Sequence, residues 1–100
     1  MAKDAFKINE SAISVGTCTR VALTTTQTIT IPGNANSILI SADTNPIRFT
    51  IDSSTPTSTL GITLAVNQPY RLDLYPGAVL KAIETTASGF LNYQFLLTNK

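Results

Sequence analysis

Apolar and polar residues alternate with a period of two along almost the whole chain. The run 47–52, IRFTID, is representative of this pattern. Successive side chains of a β-strand point to opposite faces, so the alternation predicts strands that each bury one face. No segment shows the sustained 3.6-residue period of an amphipathic helix. The chain is therefore predicted to be all-β.

Eight segments carry the alternation, and turn-forming residues such as Pro-Gly-Asn at 32–34 separate them. The predicted strands are 20–23, 28–31, 37–42, 47–52, 61–66, 70–75, 79–84 and 90–97. Short strands at this spacing predict an antiparallel β-sandwich of seven or eight strands. The strand order stays open between an immunoglobulin-like and a jelly-roll-like arrangement.

The phase of the alternation also predicts which side chains form the core, and it stays open for 37–42, where Leu39 competes, and for 79–84. The inward residues are Ile29, Ile31, Ile38, Ile40, Ile47, Phe49, Ile51, Ile62, Leu64, Val66, Tyr70, Leu72, Leu74, Leu91, Tyr93 and Phe95. Their neighbours are mostly polar, as a sheet with one solvated face requires. Cys18 precedes the first of the predicted strands, in the segment 17–21, which is also expected to be extended, and it is expected to pack as a small hydrophobe.

The length of 100 residues corresponds to one domain. Residues 16–100 are predicted to form this single sandwich domain. Residues 1–15 lack a clear period and are predicted to be an irregular N-terminal arm. Phe6 and Ile8 are the apolar residues of this arm that we expect to contact a neighbouring molecule.

Hydroxyl residues replace charged ones on the predicted outer faces. The chain contains 16 Thr and 8 Ser, but charged residues make up only 13%, about half of the usual fraction. A surface with so little charge opposes self-association weakly, which fits a protein that assembles, here as a homo-oligomer, and fits a secreted or Thr-rich domain that is merely neutral equally well. The seven basic residues are scattered, so direct binding of nucleic acid is not expected. No apolar run is long enough to span a membrane, so no membrane partner is expected.

The residue types that usually carry catalysis are scarce in this chain. Histidine is absent and Cys18 is the single cysteine, which excludes histidine-dependent triads and makes a zinc site improbable. Asp43, Asp52 and Asp73 have simpler accounts as a turn former, a loop cap and a neighbour of Arg71. We therefore predict no enzymatic activity, no metal and no cofactor.

The turn between strands 47–52 and 61–66 is predicted to be scaffold. Asp52 is placed to accept backbone N–H groups of its own loop, and Pro56 fixes the path of the chain. Gly61 relaxes the steric limits where the next strand begins. After the next predicted strand, Tyr75 precedes Pro76-Gly77 with an outward phase. Tyrosine offers a large contact area at a low entropy cost, so Tyr75 is a candidate interface residue.

A resemblance is carried by Arg48-Phe49-Thr50-Ile51-Asp52, the Pro56-Thr57 turn and Gly61-Ile62-Thr63-Leu64. This pattern resembles one of small β-sandwich virion proteins of tailed bacteriophages, in which an R-[YF]-T-x-D strand leads through a P-T turn into G-x-x-L. The segments Tyr70-Arg71-Leu72, Lys81-Ala82-Ile83 and 91–95 resemble the strands that follow in that family. The similarity covers about 18–97. Ser53 stands where the family usually has glycine.

The resemblance implies a structural role in the virion, most directly as a capsid decoration (cement) protein that is assembled in the host cytoplasm. The implied partner is the major capsid protein or another virion protein. A tail or tail-adaptor subunit is an alternative with the same composition. A similar Y-T-x-D-G…P-T turn occurs in accessory β-sandwich domains of carbohydrate-active enzymes, which makes a carbohydrate-binding module the second alternative.

Overall fold

The computed structural model describes residues 12–98, and these residues form eight β-strands and no helix. The strands are β1 (Ala12–Ala22), β2 (Gln27–Thr30), β3 (Ser37–Asp43), β4 (Ile47–Thr50), β5 (Ile62–Leu64), β6 (Tyr70–Asp73), β7 (Val79–Glu84) and β8 (Phe90–Thr98). Every predicted strand is present. The prediction of an all-β antiparallel sandwich is confirmed.

Two four-stranded sheets make up the sandwich. One sheet has the order β1-β8-β3-β6 and the other has the order β2-β7-β4-β5. All pairs between neighbouring strands are antiparallel. This is the strand order of an eight-stranded jelly roll, so the order that the sequence left open is not immunoglobulin-like.

The pairing is nested about the β4–β5 hairpin. β4 pairs with β5, β3 with β6, β2 with β7 and β1 with β8, so the second half of the chain runs back along the first. The outermost pair joins Ala12 to Thr98. Consecutive pairs belong to alternate sheets, and contacts of β3 with β8 and of β4 with β7 complete each sheet.

The core lies between the two sheets and follows the predicted phase in their central strands. Ile38 and Ile40 are buried, whereas Leu39 between them is exposed, which decides the phase of β3. Phe49 is the largest fully buried side chain. The buried hydrophobic residues are Leu23, Ile29, Ile31, Ala35, Ile38, Ile40, Ala42, Ile47, Phe49, Leu64, Leu80, Ala82 and Leu91.

The predicted burial is wrong for three inward residues. Ile62 and Tyr70 have the inward phase, but β5 and β6 are the edge strands of their sheets, so both side chains are exposed. Ile51 is exposed because β4 ends at Thr50, before the predicted strand does. Thr50 is buried in its place, and its hydroxyl donates to the Ser54 carbonyl at 2.6 Å.

Strand β1 differs from the prediction in length and in regularity. Ala12–Val15 pair with β8, so the end of the predicted arm 1–15 belongs to the sheet. The register then shifts between Val15 and Thr19, and Gly16 has a φ of 76°. The Gln94 amide donates to the Gly16 carbonyl at 3.1 Å, which satisfies the backbone at this bulge. Phe6 and Ile8 lie outside the described residues.

The predicted packing of Cys18 is also wrong. The side chain is exposed and the thiol is free. Cys18 lies within the irregular part of β1, where four residues advance against two residues of β8. Thr19 and Val21 are half-buried and pair with Tyr93 and Leu91, so the alternation in β1 turns Cys18 outward.

The opposite environments of Ile38 and Leu39 give a direct test of the fold. Ile38→Ala leaves a cavity between the sheets and is expected to lower the free energy of unfolding by about 2–5 kcal/mol. Leu39→Ala on the outer face is expected to cost under about 1 kcal/mol. Urea unfolding followed by circular dichroism measures both, and equal losses would contradict the assigned faces.

Candidate interaction surface

The loop between β4 and β5 is closed by its own side chains. An Asp52 carboxylate oxygen accepts hydrogen bonds from the Ser54 backbone N–H at 3.1 Å and from the Ser54 hydroxyl at 2.6 Å. These two bonds lower the pKa of Asp52 from its ordinary value of 3.8, because they favour the ionised carboxylate. The sequence-based role of Asp52 as a loop cap matches this geometry.

Ser53 has a φ of 71°, so it adopts the left-handed conformation that glycine provides in the resembling family. The departure from glycine at this position therefore does not remove the tight turn. Further along, the Pro56 side chain is fully buried and anchors the middle of the loop. The Thr57 hydroxyl accepts the Leu60 N–H at 2.9 Å, and the Thr57 N–H donates to the Leu60 carbonyl at 3.0 Å.

Arg48 ties the loop to β4, a role that the sequence reasoning did not assign to it. Its guanidinium donates to the Ser58 carbonyl at 3.1 Å and to the Gly61 carbonyl at 2.7 Å. Gly61 has a φ of 129°, and a Cβ there would lie 3.1 Å from the Arg48 Cβ and 3.2 Å from the Phe49 carbonyl oxygen. The one sequence signal for Arg48 is its outward position in β4, directly before buried Phe49.

An apolar surface lies beside this loop, where β5 and β6 leave the sandwich open. We call it the β5–β6 edge and define it by four exposed side chains, Ile51, Leu60, Ile62 and Tyr70, which are 42%, 52%, 54% and 52% exposed. Two clefts of about 280 Å³ each run along it. Phe49 and Ile62 line both clefts, so Ile62 forms a ridge between them.

Tyr75 lies beyond the other end of β6 and is 87% exposed. It lines a separate cleft of about 280 Å³ with Asn36, Asp73 and Leu74. The Asn36 amide in this cleft is occupied, because it accepts the Thr98 N–H at 2.9 Å and donates to the Thr98 carbonyl at 3.1 Å. The outward phase of Tyr75 is as predicted, and its ring projects from the sandwich end.

The other carboxylates predicted to have structural roles pair with arginines. Asp43 accepts from Arg20 Nε at 3.0 Å, and the Arg20 guanidinium also lies 3.8 Å from the centre of the Phe90 ring. Asp73 lies 3.4 Å from Arg71 Nε. Within residues 12–98, no group of three or more Cys, Asp or Glu is arranged to hold a metal ion. The same residues contain no helix with the length and apolarity needed to cross a membrane.

The structure thus brings two of the predicted loop residues, Asp52 and Gly61, to the border of the β5–β6 edge, where both line one of its clefts. Tyr75 is separate from them. Comparisons with protein-family models, with curated proteins and with solved structures found no match to this chain.

Gly61→Ala is expected to destabilise the chain by about 1–3 kcal/mol, because alanine is strained at this φ and its Cβ meets β4. Gly33→Ala is the control, since a Cβ at Gly33 meets no atom within 4 Å. That control is expected to be neutral or stabilising by up to about 1 kcal/mol. Thermal unfolding of both variants measures the difference, and a tolerated Gly61→Ala would contradict the close approach.

The lowered pKa of Asp52 predicts a pH dependence of stability. The folded state favours the ionised carboxylate, so the stabilisation is fully present above pH 3.8 and is lost as the pH falls through the lowered folded pKa. Carbon-detected NMR of the carboxyl group is expected to give a midpoint below 3.8. Asp52→Asn is expected to remove this component of acid destabilisation, and an Asp52 midpoint at or above 3.8 would contradict the loop geometry.

Proposed function

We propose that this chain is a structural protein of a bacteriophage virion that decorates the capsid and stabilises it through protein–protein contacts. The proposed role involves no bond making or breaking. The observation that carries the proposal is the jelly-roll strand order, because jelly rolls are a recurrent architecture of viral capsid proteins.

The hairpin that carries the family resemblance gives independent support. Its residues form β4, the 51–61 loop and β5, so the shared pattern coincides with one structural unit. The loop is held by Asp52, Thr57 and Arg48, and it therefore presents a fixed shape at the end of the sandwich. A preorganised surface loses little entropy on binding, which suits a protein whose role lies in its contacts.

Decoration stabilises a capsid through linkage. A protein that binds the assembled shell, but not its dissociated subunits, shifts the equilibrium towards the shell by an amount set by its concentration and affinity. Tyr75 is the residue that we propose for this contact, since its ring is exposed and tyrosine is enriched at binding hot spots. In this proposal the partner is the major capsid protein.

The two rival functions have different contacts. A tail or tail-adaptor subunit uses the same kind of surface but binds elsewhere on the virion. A carbohydrate-binding module uses Tyr75 as a stacking platform beside the cleft that Asn36 and Asp73 line. Jelly rolls also include lectin domains, so the exposed Tyr75 is the specific observation in favour of this alternative.

The proposal predicts binding to expanded capsids of the phage that encodes this chain. Purified protein is expected to co-sediment with these capsids and to raise their thermal disruption temperature. Tyr75→Ser is expected to weaken the binding by about 30-fold or more, the effect of losing a hot-spot side chain. Leu39→Ser, on an outer sheet face, is the matched control and is expected to bind as the unmodified chain does.

Three outcomes would contradict the proposal. The first is a lack of capsid binding together with labelling of the tail in electron micrographs. The second is binding that leaves the capsid disruption temperature unchanged, because a cement protein must stabilise the capsid that it binds. The third is tight, Tyr75-dependent binding on a glycan array without capsid binding, which would favour the carbohydrate-binding module.

A further inference from the structure

The β5–β6 edge is exposed although two of its residues, Ile62 and Tyr70, have the inward phase of their strands. Ile62 and Tyr70 point to the inner faces of their sheets, but no further strand covers them within the described part of the chain. The sandwich is therefore open along this side. Exposed apolar surface that continues the core is the usual form of an interface between proteins.

We infer that the β5–β6 edge is covered by the same edge of a second copy of this chain. The ridge formed by Ile62 stands between two clefts of similar volume, about 280 Å³ each. When two copies meet edge to edge, a ridge of one faces a cleft of the other. Such an isologous contact uses one patch twice, so a single surface is sufficient.

The area of the edge fits a stable dimer. The exposed fractions of the four side chains correspond to about 400 Å² of apolar surface per copy. About 65% of a homodimer interface is apolar, so a patch of this size, with its polar rim, corresponds to about 600 Å² per partner, the lower end of the range for specific interfaces. The edge is therefore large enough to supply the core of the contact.

The charge of the edge favours a like partner over an oppositely charged one. Among the described residues that line the two clefts, Asp52 is the only charged one, and its carboxylate is occupied by Ser54. A highly charged partner would find only this one carboxylate to pair with in the clefts. A second copy brings the same neutral, hydroxyl-rimmed surface, because the chain has a net charge of only +1.

This inference names the surface of the homo-oligomer that the low surface charge predicts, and it rests on the proposed function in taking the chain to be an assembling structural protein. The two are nevertheless separable by experiment. Self-association is measured on the purified chain alone, whereas decoration requires a capsid. Tyr70 is the first residue of β6, and Tyr75 lies two residues beyond the last. The two tyrosines therefore test the two contacts independently.

Sedimentation velocity of the full chain over a range of micromolar concentrations tests the inference. The unmodified chain is expected to sediment as a dimer, because a single isologous contact closes at two copies. Ile62→Lys brings an unpaired ammonium into the apolar contact of both copies, so association is expected to weaken by about 30-fold or more. Ile13→Lys is the matched control, because Ile13 is also an exposed strand isoleucine, 63% exposed, but lies in β1.

Both lysine variants are first checked for folding by circular dichroism and thermal unfolding. If Ile62→Lys does not fold, Tyr70→Ser takes its place and Tyr75→Ser becomes its control. A monomeric unmodified chain would overturn the inference, as would an oligomer that Ile62→Lys and Ile13→Lys weaken equally. A monomer whose capsid binding is lost on Ile62→Lys would also overturn it, by assigning the edge to the capsid protein.

Discussion

Antiparallel pairing of the two halves of the chain is the constraint on which the rest of the structure depends. Each strand of the first half pairs with its counterpart in the second half, and the β4–β5 hairpin is the innermost pair. Closing the β4–β5 hairpin shortens the loop that the next pair must close, so each pair lowers the entropy cost of the one outside it. The bonds of Asp52, Thr57 and Arg48 therefore matter beyond their own loop, because they fix the turn around which all other pairs nest.

The same topology explains why the molecule has an apolar side. Placing alternate pairs in alternate sheets leaves β5 and β6 at the edges, facing one another across the open sandwich. Their inward residues face the core on one side and solvent on the other. β5 is only three residues long, so the edge offers few backbone groups for strand addition. Side-chain packing is thus the main means by which this side of the molecule can bind a partner.

The presence of the eight strands could be predicted from the sequence, because the alternation of apolar and polar residues is a local property. The sequence therefore located β7 to the residue and β3 to within one residue at its end. Burial at Ile62 and Tyr70 could not be predicted, since edge position depends on pairing between distant strands. Cys18 was expected to pack because of its residue type, whereas its position, opposite in phase to half-buried Thr19 and Val21, turns it outward. In the loop, Asp52 was recognisable from its short-range turn chemistry, whereas the role of Arg48 depends on where the chain returns ten residues later.

The direct pairing of Ala12 with Thr98 has a practical consequence for engineering. Ala12 and Thr98, the first and last described residues, therefore lie side by side at one end of the sandwich. A peptide, enzyme or fluorophore attached directly at Ala12 and another attached at Thr98 would compete for the same space. Display on this scaffold is therefore directional, and it leaves the opposite end of the sandwich, where β3 connects to β4 and β7 connects to β8, unobstructed.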